Sequence, residues 1–500
     1  MNIKRAKQEI KDTIEAYLLK DETGAYAIPS VRQRPVLLIG PPGVGKTQIM
    51  EQISREMGIG LVAYTITHHT RQSAVGLPFI EHKMYGGKEY AVTEYTMSEI
   101  VASVYDKIEE SGLQEGILFL DEINCVSETL APAMLQFLQC KTFGTHRIPD
   151  GWLIAAAGNP PEYNKSVREF DVVTLDRIKK ITVEPDFEVW KEYANRENIH
   201  AAILSYLNLR RENFCRIETT VDGKLFATPR GWEDLSELIG VYEKLGKRVD
   251  RDVIGQYIQF PKISKDFANY LELFYKYEND YRVEEILDGH IEETLCDRLA
   301  KAAFDEKLSL VGLLLSGLTR SFRELKLTEE RMELVMACLK TFEQRIRSGE
   351  NCGSAYGLLG EITKKFEEET NQKKRAGLLA RRDERVRRAA LSQLETFAKK
   401  LREQDLRDGE AAWDWIREAF GLESDAYEEE NERCAQRLEH AFDFMEASFG
   451  AGQEMVIFVT ELNSNPYCVE FLKEYDCERY YQYNKQLLFD EREDELQARL

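Results

Sequence analysis

Five short runs of consecutive apolar residues mark the first third of the chain: Val36-Leu37-Leu38-Ile39, Leu61-Val62-Ala63-Tyr64, Ile117-Leu118-Phe119-Leu120, Leu153-Ile154-Ala155-Ala156 and Ile181-Thr182-Val183. Runs without polar alternation fit strands covered on both faces, and the helical or loop segments between them predict a parallel α/β sheet. Ahead of them, Ile10, Ile14, Tyr17 and Leu18 share one face of an amphipathic helix, joined to the first run through Gly24, Pro29 and Pro35. This α/β core is expected to occupy residues 1–184. From Pro185 to Tyr281 the apolar positions recur every three or four residues, as in Phe187-Trp190-Tyr193 and Leu235-Ile239-Tyr242, which predicts a small all-helical second domain over 185–281. Residues 282–500, rich in Lys, Arg and Glu at heptad-like apolar spacing, read as a long helical region broken near 349–353, at Asp408-Gly409 and near 450–452.

Composition narrows the class. Five hundred residues suggest roughly three domains, and an apolar share of 43% is ordinary for a globular protein, so neither disorder nor a membrane class fits. A net charge of −21 repels phosphodiester backbones and disfavours nucleic acid as a partner. The nine cysteines are scattered and never form a CxxC pair, which points to a reducing compartment. No signal-peptide core stands at the N-terminus. The longest apolar stretch, Leu308 to Leu318, is too short to cross a bilayer, so a cytoplasmic protein without membrane insertion is expected.

Chemistry enters directly after the first apolar run. Gly40-Pro41-Pro42-Gly43-Val44-Gly45-Lys46-Thr47 satisfies G-x-x-x-x-G-K-[ST] between that strand and a helix carrying Ile49, Ile53 and Met57. In this setting backbone N–H groups curl round phosphate oxygens, Lys46 reaches the β- and γ-phosphates of ATP, and Thr47 offers its hydroxyl to Mg²⁺. The third run ends in Asp121-Glu122, an acid for the Mg²⁺ shell followed by one to activate water. The fold class is therefore an α/β P-loop NTPase core with a five-stranded parallel sheet.

With these motifs the chain resembles the AAA+ ATPases, and within them the MoxR family, over about residues 1–280. Ala157-Gly158-Asn159-Pro160 is similar to the family's sensor-1 element, which implies that Asn159 positions the hydrolytic water. Leu175-Asp176-Arg177-Ile178 resembles its LDRF segment, with Ile178 where the family usually has Phe, and implies that Arg177 is an arginine finger for a neighbouring subunit. Thr228-Pro229-Arg230-Gly231-Trp232 resembles sensor 2 at the start of a lid helix and implies a phosphate contact from Arg230. Gly76-Leu77-Pro78 and the Tyr85-Gly86-Gly87 turn sit where the family inserts a hairpin. The resemblance further implies a hexameric ring, since an arginine supplied in trans needs a head-to-tail interface. It also implies remodelling of protein partners and a von Willebrand factor A domain partner. This chain has no D-x-S-x-S motif of its own, so that domain would come from another chain.

Other constellations carry less. His68-His69 lacks carboxylates or cysteines at ligand spacing, and Phe143 to Arg147 reads as a tight hairpin. Residues 371–400 hold ten Lys or Arg and three Asp or Glu, but Val386, Ala390, Leu394 and Phe397 keep a helical apolar face, which favours a packing helix with a solvated side. The alternatives to a protein remodeller are a DNA-acting motor or nucleic-acid-sensing defence component, and a slow nucleotide-gated scaffold. The client, the process and the role of 282–500 stay open at this level.

Overall fold

The computed structural model describes all residues except 69–73, 164–166, 168, 169, 222, 349–353 and 487–500, and of His68 only the backbone. The chain forms two compact units, Met1–Asp186 with Lys365–Arg385, and Phe187–Lys364 with Val386–Leu500.

In chain order the first unit contains helix α1 (Ile3–Leu18), strand β1 (Val36–Ile39), helix α2 (Lys46–Met57), β2 (Gly60–Thr65), β3 (Pro78–Tyr85), β4 (Lys88–Tyr95), β5 (Gly116–Asp121), β6 (Thr142–Phe143), β7 (His146–Arg147), β8 (Trp152–Gly158) and β9 (Lys179–Thr182). All five apolar runs become strands of one sheet in the order β2-β5-β8-β1-β9, with every neighbouring pair parallel. Alternate residues of each run feed opposite faces. Val36, Leu38, Ile117, Phe119, Leu153 and Ala155 pack against Ala6, Ile10 and Ile14 of α1 and Ile49, Met50 and Ile53 of α2. Leu37, Leu118, Leu120, Ile154 and Ala156 pack against Ile100, Val101 and Val104 of one helix and Met134, Phe137 and Leu138 of another. Each fully buried side chain such as Phe119 contributes roughly 1.5–3 kcal/mol of transfer free energy, and helices on both faces explain why the central strands β1, β5 and β8 read as continuous apolar runs, whereas the edge strand β9 carries Lys179, Lys180 and Thr182.

The order places β1 between β8 and β9, so the neighbouring strands β1 and β8 send their following connections in opposite directions, β1 towards the β2 edge and β8 towards the β9 edge. In an open parallel sheet the crevice at such a switch point, beyond the carboxyl ends of the strands, is where ligands bind. The loop after β1 opens there. Two hairpins decorate the unit: β3–β4, turning at Gly86-Gly87, and β6–β7, turning at Gly144-Thr145, as the sequence suggested for both segments.

The second unit is mostly helical. The segment 185–281, expected to be helical throughout, also contains an antiparallel hairpin of β10 (Arg216–Thr220) and β11 (Gly223–Ala227). The reason is local: Ile217, Thr219, Thr220 and Val221 are β-branched, and Gly223 adopts φ 137°. Leu310, Leu313, Leu314 and Leu318, from the longest apolar stretch, lie buried in the helix Phe304–Arg347. One hydrophobic cluster runs from Phe187 to Tyr480 and joins these leucines to Ile203, Leu207, Phe267, Phe442 and Phe458. No helix among the described residues is long and apolar enough to cross a membrane. The breaks at Asp408-Gly409 and 450–452 coincide with helix ends, whereas 349–353 lie outside the described residues.

Candidate nucleotide site

The site is assembled at the carboxyl ends of β1, β5 and β8. Gly43 and Gly45 take φ values of 79° and 87°, a region in which a side chain is strained, so the loop can curl only because glycine stands at both positions. Gly45 is the N-cap of α2, and no side chain caps the helix there. The first turn of a helix leaves backbone N–H groups without intrahelical acceptors, and the dipole adds positive potential, so this end of α2 suits phosphate oxygens.

Lys46 is 8% exposed, and its Nζ donates to the main-chain oxygens of Gly40 and Pro41 at 2.8 Å each and to Asn159 Oδ1 at 2.9 Å. These three acceptors are neutral. Thr47 Oγ1 donates to Asp121 Oδ2 at 2.9 Å, while Asp121 Oδ1 accepts the Glu122 N–H at 2.9 Å. Thus four residues singled out from separate stretches of sequence, Lys46, Thr47, Asp121 and Asn159, form two hydrogen-bonded pairs next to one another along the chain at Lys46-Thr47. Glu122 follows with φ 56°, in the left-handed region, which ends β5 abruptly and starts the turn Ile123–Cys125.

A hydroxyl and a carboxylate oxygen held 2.9 Å apart form a small set of hard oxygen donors. Mg²⁺ characteristically takes one or two protein carboxylates and completes its shell with water and substrate phosphates, so Thr47 and Asp121 fit that ion. Burial, and then the charges of Glu122 and Asp121, push the Cys125 thiol above its ordinary range. A thiol so placed is unsuited to thiolate chemistry. Among the described residues no group of three or more His, Cys, Asp or Glu is placed to hold a metal ion, and His69 of the histidine pair lies outside them.

The remaining expected residues belong to other elements. Arg177 is exposed after the short helix Val172–Leu175, and its Nη1 donates to Gln139 of the helix Ala131–Cys140. Ile178 beside it is 4% exposed and packs in the sheet's core, so the position is an apolar anchor. Arg230 belongs to the second unit, exposed in the first turn of the helix Pro229–Lys244, which Thr228 caps by accepting the Gly231 N–H.

Two side chains at the site were not anticipated. Asn124 Nδ2 donates to the main-chain oxygen of Asn159 at 2.8 Å, and Gln139 holds Arg177. The only sequence signal for Asn124 was its place just after Asp121-Glu122, and Gln139 had none. The basic stretch behaves as a packing element: Val386, Ala390, Leu394, Phe397 and Leu401 are buried, and Lys374 pairs with Glu384 at 2.6 Å.

Residues 36–175 match the model of the AAA family, ATPases associated with various cellular activities. A stretch of 143 residues, 27% of this chain, is 29% identical to ATPase family gene 2 protein homolog B of Mus musculus and covers 16% of that protein. The likeness therefore concerns one domain and not the length of the relative. Since β1, its glycine loop, β5 and β8 all fall inside the matched span, this chain carries an ATPase domain of the AAA family.

Proposed function

We propose that the chain is a MoxR-like AAA+ ATPase that hydrolyses ATP with Mg²⁺ at residues 40–47 and couples the cycle to remodelling or chaperoning a protein partner. The observation that carries this reading is the paired arrangement of Lys46 with Asn159 and Thr47 with Asp121 beneath an uncapped helix start. Lys46 and the N-terminal turn of α2 bind the phosphates, and Thr47 and Asp121 hold the metal. Bound magnesium offsets negative charge on the phosphate oxygens. Asn159 orients a water whose proton passes to a Glu122 carboxylate oxygen. The water oxygen bonds to the γ-phosphorus as the bond to the ADP oxygen breaks, leaving ADP and phosphate.

Arg177 serves as the arginine finger of a neighbouring copy. Its exposure, and that of Val172 and Val173 just before it, favours a head-to-tail contact there, and such contacts close into a ring, which we take to be a hexamer by the MoxR resemblance. Arg230 acts as the sensor-2 phosphate contact. We divide the chain into a nucleotide core over 1–184, a lid over 185–281 and a partner-recruiting region over 282–500. The partner is a protein, with a von Willebrand factor A domain in a separate chain, and the setting is the cytoplasm. The net charge of −21 and the buried apolar face of the basic stretch favour protein over nucleic acid.

Titration of the full chain with a fluorescent ATP analogue, with Mg²⁺ and then with excess chelator, tests the binding half of this proposal. Lys46→Ala removes a charge-assisted contact and is expected to weaken binding at least about tenfold. Wild-type affinity in Lys46→Ala would place the nucleotide elsewhere.

A further inference from the structure

The turn after β5 contains an amide that the hydrolytic scheme does not use. Asn124 is 5% exposed and reaches from this turn to the end of β8, where its Nδ2 meets the Asn159 main-chain oxygen at 2.8 Å. Its Oδ1 fills the space beside Gly158, 2.4 Å from where a Cβ on that residue would stand, so the two positions are matched: the amide lies flat against a residue that has no side chain. The turn that Asn124 belongs to is short and closed. Glu122 enters it at φ 56°, and the Cys125 N–H returns to the Glu122 oxygen at 2.9 Å, which leaves little freedom between the Glu122 carboxylate and the Asn124 amide. At the far end of the connection, Asn159 passes its own side-chain oxygen to Lys46.

We infer that Asn124 is a positioning residue for ATP hydrolysis, which ties the Glu122 turn to Asn159 so that the base and the water-orienting amide keep one separation. The inference rests on the proposed roles of Glu122 and Asn159. Two groups that act on one water must be held within a few tenths of an ångström, and β5 and β8, although hydrogen-bonded along their length, end at Asp121 and Gly158, before either group. The Asn124 bridge is the described side-chain bond that spans the two strand ends beyond the last ladder pair.

The test uses the full chain and reads ATP affinity, kcat and melting temperature together. Asn124→Ala is expected to keep ATP affinity within about threefold of wild type and to lower kcat at least about tenfold, since a displacement near 1 Å can cost about a hundredfold. Combining it with Asn159→Ala should lower kcat by less than the product of the single effects, because Asn159→Ala removes the very amide that the Asn124 bond to its main chain positions. Asn124→Leu fills a similar volume without the donor and without a new charge, so it carries the same expectation should Asn124→Ala not fold. A wild-type kcat in the folded variant, while Glu122→Gln is inactive, overturns the inference and leaves the hydrolytic site standing. An active Glu122→Gln removes the reading on which it rests. Affinity falling in step with kcat and melting temperature marks a structural role and also overturns it.

Discussion

Lys141 illustrates how far the first unit's interior constrains a single side chain. It is 3% exposed, takes φ 57°, and donates from Nζ to Gln33 Oε1 at 2.9 Å. Burial, and then the charge of Arg147, lowers its pKa from 10.5 to about 8, with Asp150 opposing. The fold therefore disfavours the ammonium. The penalty is fully present below about pH 8, shrinks as the folded form loses its proton, and is gone above the unfolded value of 10.5. Relative to Lys141→Met, the wild type should gain stability between pH 8 and 10, by no more than about 3 kcal/mol. Denaturant melts of both proteins at pH 7, 8.5 and 10 measure this, and a difference that does not change with pH would count against it. Legibility at this scale followed from residue type at fixed spacing. Lys46, Thr47 and Asp121 announced themselves because phosphate and metal chemistry demands those groups in that order. Asn124 did not, because its partner is a main-chain oxygen 35 residues away, and any residue type could have supplied that oxygen.

Among the elements, the central strands β1, β5 and β8 were readable because burial on both faces makes them almost wholly apolar, while the edge strand β9 showed only through Ile181 and its neighbour Val183. The sequence did not reveal how the strands approach one another at the amino end of the sheet. There Trp152 lies across Gly60 and Gly116, with its ring 2.8 Å and 2.7 Å from where their Cβ atoms would stand. Gly116→Ala also meets the Gly60 oxygen at 2.8 Å, so it should overpack the site and destabilise the protein by about 1–3 kcal/mol. Urea unfolding followed by tryptophan fluorescence reads the change, and an unaltered midpoint would show that the tryptophan can move aside. The hairpin β10–β11 was missed for an opposite reason: two short strands within a helical stretch leave too brief a period-two pattern to compete with the surrounding three- and four-residue spacing. Likewise Gly377, at φ 79°, separates the helices Ala355–Ala376 and Arg381–Glu403 inside what reads as one basic stretch.

The whole molecule adds what neither residues nor elements carry. All proposed phosphate contacts precede residue 282, so a chain ending at Tyr281 looked sufficient to bind ATP. The shared cluster in the second unit changes the expectation for the rest of such a chain: removing 282–500 takes away Leu310, Leu314, Leu318, Phe442 and Phe458 and exposes Ile203, Leu207 and Phe267. The truncated protein should bind ATP through its first unit yet associate through the bared face, which sedimentation at increasing concentration would detect; a stable monomer would contradict the shared core. Assembly has its own test. Arg177→Ala and Lys46→Ala subunits, each inactive alone, should recover partial ATPase activity when mixed, since some interfaces then join an intact loop to an intact finger. No recovery despite proven mixed assembly would refute an arginine supplied in trans. The central claim, that the loop after β1 and the acids after β5 hydrolyse ATP, is tested most directly by steady-state turnover and ATP affinity of the full chain and its Glu122→Gln variant in Mg²⁺ buffer. Loss of a general base costs about a hundredfold or more, so the variant should bind ATP within about threefold of wild type and lose turnover by at least that factor. Turnover in Glu122→Gln within about twofold of wild type would contradict the account.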